Sequence, residues 1–305
     1  MQGAPSSTAA YDGLDQVGYE PGPSILVFSD ASERRDGLCD MVRAAGGRVS
    51  AALDIAQAVG RIADHAAPDG VIVDLISDGG TSAEQIFDAV EQGAATHRFR
   101  SVMLIDPGLI DLAVARAGHG DVELLCAPDD EGLSAAIGGL MTPRRWELND
   151  VSGDAGPIRL RQLSEEVGRI ARALATLSER RRDILDDSAG REPPDAPAIR
   201  AMIRARRMRD QFFPAELFAD PAWDMLLDLT AAHLERRPVA VSSLCIAAAV
   251  PATTALRWIK MLTGLGMFVR VADPKDRRRI FIELSPEVAA TMQECLSAMR
   301  PGEGV

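Results

Sequence analysis

An alternation repeated five times between residues 24 and 142 constrains this chain more than anything else in it. Short, mostly apolar runs, "SILVFS" (24–29), "RVSAAL" (48–53), "GVIVDLI" (70–76), "SVMLID" (101–106) and "VELLCA" (122–127), recur through this stretch. Each precedes a stretch with helical spacing, in turn "ASERRDGLCDMVRAAGG", "DIAQAVGRIADH", "SAEQIFDAVEQGA", "DLAVARAG" and "EGLSAAIGGLM". A strand that is apolar on both faces must be covered on both, and parallel neighbours need a crossover helix. The pattern predicts an α/β domain with a five-stranded parallel sheet between helices and Asp54 capping the second helix. No glycine-rich phosphate loop follows the first strand, so a nucleotide cofactor has no support and none is expected.

A different order begins at residue 199. "IRAMIRARRMRDQFFPAELFA" places Ile199, Met202, Ile203 and Met208 on an apolar side among arginines. "PAWDMLLDLTAAHLERR" follows, with Pro221 suited to a first turn and Trp223, Leu226, Leu227, Leu229 and Leu234 facing inward. "VAVSSLCIAAAV" offers Ser242 or Ser243 as an N-cap. "PATTALRWIKMLTGLG" starts at Pro251 and stops at the Gly264/Gly266 pair. "MFVRVAD" and "RRIFIEL" alternate as two strands around the charged turn "DPKDR", and "SPEVAATMQECLSAM" closes as a helix capped by Ser285. Helix, helix, turn, helix, hairpin, helix is the order of a winged helix-turn-helix.

Between the two lies a connector. Residues 143–157 read as a polar linker and 186–198 as a second one, marked by three prolines. Residues 158–185 carry Leu160, Leu163, Val167, Ile170, Leu174 and Leu177 at intervals of 3, 4, 3, 4 and 3, a coiled-coil seam that predicts a homodimer. Residues 1–23 read as a disordered lead.

Charge separates the halves. Of a net −12, residues 1–157 carry 10 Lys/Arg against 25 Asp/Glu, and residues 199–305 carry 15 against 12. Local clusters decide what a surface attracts, because the field decays over about 8–10 Å. Four widely spaced cysteines support neither a structural zinc site nor a disulfide framework, and Cys245 reads as a small buried apolar residue. The four histidines are scattered, and no metal or catalytic constellation emerges, so the chain does not read as an enzyme. No apolar run approaches the ~20 residues of a membrane span. A cytoplasmic location is expected.

Two resemblances sharpen this reading. Residues 24–142 resemble a response-regulator receiver domain, which implies a flavodoxin-like fold. Its phosphoacceptor corresponds to Asp74 in "VIVDL", and its paired acidic residues to Ser29 and Asp30. The hydroxyl ending the fourth strand is replaced by Asp106, and the lysine before Pro128 by Ala127. The resemblance therefore implies a pseudo-receiver that works through a protein partner, with Asp30 and Asp74 as a vestigial site. A phosphorylation-controlled response regulator is the alternative, and simple solvated carboxylates are the plainest account of both residues. The segment "GMFVRVADPKDRRRIFIELS" resembles the wing of the MarR family, with its Asp-Pro-x-Asp-Arg-Arg turn, and "TTALRWIKML" resembles that family's recognition helix.

Membership would imply double-stranded DNA as partner. Ala255, Leu256, Ile259 and Leu262 share the inner face of the recognition helix by spacing, and Trp258 is assigned to packing. Thr253, Thr254, Arg257 and Lys260 fall on the outer face, where hydroxyls and an arginine can meet bases and phosphates. With Ser242 and Ser243 ahead of them, and Lys275, Arg277, Arg278 and Arg279 on the wing, they form the candidate DNA-binding set. Arg278 is assigned to the groove, and Asp276 to a salt bridge with an arginine at the turn's base. A transcriptional regulator is the leading reading. A protein-interaction adaptor, in which the acidic domain and coiled coil carry the function, competes with it.

Overall fold

The computed structural model describes residues 22–64, 68–77, 81–117, 122–142 and 192–299. The dimer seam expected at residues 160–177, the lead before residue 22 and the linker up to residue 191 lie outside the described residues.

The first domain runs β1 (Ser24–Ser29), α1 (Ser32–Ala44), β2 (Arg48–Leu53), α2 (Ala58–Asp64), β3 (Gly70–Leu75), α3 (Thr81–Ala95), β4 (Arg100–Ile105), α4 (Ile110–Ala117), β5 (Val122–Cys126) and α5 (Asp130–Met141). The strands form one parallel sheet of five, as the alternation predicted, in the flavodoxin-like order β2-β1-β3-β4-β5. Strands β1 and β3 are buried throughout, which accounts for their unbroken apolar runs, whereas β2, at an edge, is not. Leu38, Val42, Ile137 and Leu140 of α1 and α5 cover one face of the sheet. Ile62, Ile86, Phe87 and Val114 of α2 to α4 cover the other. Asp54 opens a short 3₁₀ turn before α2, but its side chain pairs with Arg35 rather than capping.

The second unit comprises α6 (Ala196–Met208), α7 (Pro221–Glu235), β6 (Val239–Ala240), α8 (Val241–Ala247), α9 (Ala252–Gly264), β7 (Phe268–Ala272), β8 (Ile280–Leu284) and α10 (Pro286–Met299). Helix α6 starts three residues before the expected boundary, because Asp195 accepts the N–H of Ala198 and makes the cap. Met208 and Leu234, expected inside, are exposed, since α6 gives way to 3₁₀ turns and Leu234 lies at the end of α7. Asp224, buried on α7, receives Arg206 at 2.8 Å and Arg207 at 3.1 Å, so those arginines tie the first two helices together.

Helices α8 and α9 meet at 110° across a four-residue turn, within the range of a helix-turn-helix. The turn places Ala249 at a left-handed φ of 49°. Gly266, at φ 71°, ends α9 and starts the hairpin, a conformation that costs glycine nothing. β7 and β8 pair antiparallel as expected. The two-residue strand β6 adds to β8 and completes a three-stranded sheet that the sequence had not suggested. Ser285 accepts the N–H of Val288, as a cap of α10 should. Among the described residues no single helix is long and apolar enough to cross a membrane.

Candidate nucleic-acid interface

Helix α9 has the two faces its spacing predicted. Ala255, Leu256, Ile259 and Leu262 are buried, and Trp258 packs partly buried against the same core. Thr253, Thr254, Arg257 and Lys260 lie on the outward side, half-buried or exposed. At the wing, Asp276 accepts the backbone N–H of Arg278 at 2.9 Å, and Asp273 that of Lys275 at 2.8 Å, closing the turn from within. The closed turn holds Lys275, Arg277 and Arg279 out, all exposed. Ser242 and Ser243 do not cap α8: Ala240 is its N-cap, and both serines lie in its first turn.

Part of this outward face meets the first domain. It rests on α4 and on β5, the far edge of the parallel sheet. Thr253 Oγ1 donates to the carbonyl of Cys126 at 3.0 Å and accepts its N–H at 2.8 Å. Lys260 Nζ donates to the carbonyl of Val122 at 3.2 Å, and Arg257 forms an ion pair with Glu123 at 2.5 Å. Asp111 of α4 accepts both the backbone N–H of Ser242, at 3.0 Å, and its hydroxyl, at 2.7 Å. Arg278 Nε meets Glu84 of α3 at 3.1 Å. Arg270 donates to the carbonyl of Val114, and desolvation lowers its pKa against the opposing charge of Glu91. Five of the ten sequence-predicted DNA contacts are thus brought together on one protein surface. Of the other five, Ser243, Lys275, Arg277 and Arg279 are exposed and Thr254 is half-buried.

The seam has an apolar floor as well. Leu109, Ile110 and Val114 belong to one continuous buried cluster with Val241, Leu244, Leu256 and Ile259. Cys245 is buried within it, and burial pushes its thiol up to about 12, with Cys126 and Asp111 adding to the shift. It is the small apolar residue that composition suggested.

The carboxylate site at the C-terminal ends of β1 and β3 has a second, separate geometry. Asp74 is 1% exposed, not solvated at a strand end. Its Oδ2 accepts Ser29 Oγ and Arg34 Nε, both at 2.8 Å, and its Oδ1 accepts Arg34 Nη2 at 2.5 Å. The carboxylate raises the pKa of Arg34 through that bond. Asp30 accepts the backbone N–H of Ile55. The Mg²⁺ of a receiver domain needs several carboxylate oxygens around one point, and these residues do not fit it: a guanidinium already holds Asp74. Among the described residues, no group of three or more His, Cys, Asp or Glu could hold a metal ion. Sequence reading missed Arg34, although "ASERRD" places two cations just after Ser29 and Asp30, which was the available signal.

No family model matches the chain, and no curated protein does. Among solved structures, the chain is similar to one described as "Mechanism for regulation of DNA binding of Bordetella bronchiseptica BpsR by 6-hydroxynicotinic acid", at 16% identity and a TM-score of 0.21. That match covers 42% of this chain and 72% of the other. It is also similar to transcriptional regulator Tm0710 from Thermotoga maritima, at 22% identity and a TM-score of 0.21, over 32% of this chain and 70% of that one.

Proposed function

We propose that this chain is a DNA-binding transcriptional regulator. The observation that carries the reading is the helix pair α8–α9 at 110°, followed by a hairpin whose turn holds three cations clear of the fold. A helix of that setting can enter a major groove while a basic arm meets phosphates or the minor groove beside it. Thr253, Thr254 and Arg257 read bases; Ser242, Ser243 and Lys260 contact the backbone beside them. Arg278 enters the groove, and Lys275, Arg277 and Arg279 hold phosphates.

The chain acts as a homodimer. The heptad seam Leu160 to Leu177 supports this, and so does the exposed apolar group after α6, where Phe212 is 74% and Leu217 67% exposed. The α/β domain takes the part of a pseudo-receiver, working through protein contacts. The closed Arg34–Asp74 pair favours contact over phosphorylation, because both acceptor oxygens are engaged and buried.

Fluorescence anisotropy on a mixed-sequence duplex tests the DNA reading. The double variant Lys275→Ala, Arg277→Ala should weaken binding and lower the slope of log affinity against log salt by about 2. These two side chains are exposed, so the fold should not suffer. An unchanged affinity and slope would remove the wing from the DNA contact and overturn the assignment.

A further inference from the structure

We propose that the α3–α4–β5 face of the α/β domain is a docking surface for the chain's own reading face, and that duplex DNA competes with it for the same side chains. The inference rests on the DNA-binding reading above and goes beyond it by naming what the acidic domain binds.

Ser242, Thr253, Arg257, Lys260 and Arg278 are DNA contacts by helical phase, turn position and the likeness to the MarR wing and recognition helix. Each meets an acceptor of the first domain. The acceptors are the carboxylates of Glu84, Asp111 and Glu123 and the carbonyls of Val122 and Cys126. Carboxylates and phosphates satisfy a guanidinium in the same charge-assisted way, and carbonyl edges stand in for base edges. A surface so furnished offers the reading face what a duplex offers it.

β5 is an edge strand, and its outward backbone groups must find partners or invite another strand. Thr253 and Lys260 supply those partners. Charge favours the match over the whole seam, since the first half of the chain is strongly acidic and the second is slightly basic.

A cleft of about 770 Å³ remains between Val114, Ala117 and Val122 on one side and Leu256, Ile259 and Arg270 on the other. Beside it Thr263 Oγ1 and Arg270 Nε are buried with no hydrogen-bond partner among the described residues. A domain interior is packed far more closely and leaves few such atoms. The seam therefore has the character of a contact that can part. While it is closed, the apparent affinity for DNA falls in proportion to the small open fraction.

The test uses the full chain and a fluorescein-labelled, mixed-sequence duplex of about 30 base pairs at about 50 mM salt. Glu84→Gln, Asp111→Asn and Glu123→Gln together remove the carboxylate charges while keeping shape. A control triple, Glu33→Gln, Asp36→Asn and Asp40→Asn on α1, removes the same charge from the other face of the sheet. The seam triple should bind at least ~10-fold more tightly than the wild type, or about 1.4 kcal/mol, and the control should change far less. Equal binding by wild type and seam triple, or an equal gain in the control, overturns the docking proposal and leaves the DNA reading standing. Binding by neither overturns the DNA reading itself.

Should the seam triple fail to fold, hydrogen exchange on the wild type decides. The N–H groups of Cys126 and Ser242, bonded across the seam, should lose protection when saturating duplex is added. Protection that survives saturation refutes the competition.

Discussion

Replacing Arg34 by methionine isolates what holds the closed carboxylate site together. The substitution keeps the aliphatic length and removes the guanidinium that forks onto both oxygens of Asp74. The carboxylate, 1% exposed, would then keep Ser29 Oγ as its remaining side-chain donor. Breaking a fully buried ion pair by removing one partner costs about 3–5 kcal/mol. Here the guanidinium is 54% exposed, so water screens part of the attraction and can reach the stranded carboxylate. Discounting for that leaves a loss of about 2–3 kcal/mol.

Urea denaturation of the full chain, followed by circular dichroism, reads the loss as a lowered midpoint. The decisive comparison adds Asp74→Asn alone and the double variant. The double should be more stable than Arg34→Met alone, because it leaves no unpaired buried charge. If Arg34→Met costs less than about 0.5 kcal/mol, or the double is the least stable of the three, the ion pair is not what stabilises this site.

Two further predictions follow from single residues. Ala249 sits at φ 49° in the turn between α8 and α9, so Ala249→Gly should raise stability by about 0.5 kcal/mol, the relief of strain exceeding glycine's added freedom when unfolded; a lowered urea midpoint would refute this. The thiol of Cys245, pushed up to about 12 from 9.0 chiefly by burial, favours folding fully below pH 9, and that contribution fades as the pH rises from 9 toward about 12. Comparing wild type with Cys245→Ala over that window should show the wild type losing up to ~1.4 kcal/mol more per pH unit, and parallel curves would count against burial as the cause.

The first domain was legible nearly strand by strand. "SILVFS" and "RVSAAL" match β1 and β2 at both ends, because a two-sided burial requirement writes itself as an apolar run bounded by turns. The wing was legible for a similar reason: alternation around a Pro-containing polar turn admits few structures other than a hairpin. The two-residue strand β6 was not, since two residues carry no period, and its pairing with Ile282 and Phe281 is a long-range event. Leu234 and Met208 were misplaced because helical phase says which side a residue takes but not where the neighbouring element ends.

The candidate site divides along the same line. The sequence by itself determined which side chains α9 and the wing turn outward, since 3–4 spacing and the turn's own Asp acceptors set those directions locally. What those side chains meet was decided only by the tertiary structure. Thr253, Arg257 and Lys260 have the same pattern whether they face water, a duplex or β5, because periodicity separates inside from outside and does not name the neighbour. For the same reason nothing in the sequence sets Glu84, Asp111 and Glu123 apart from the other acidic residues of the first domain. They lie more than a hundred positions from the groups they bind, and only the folding of two domains onto each other makes them adjacent.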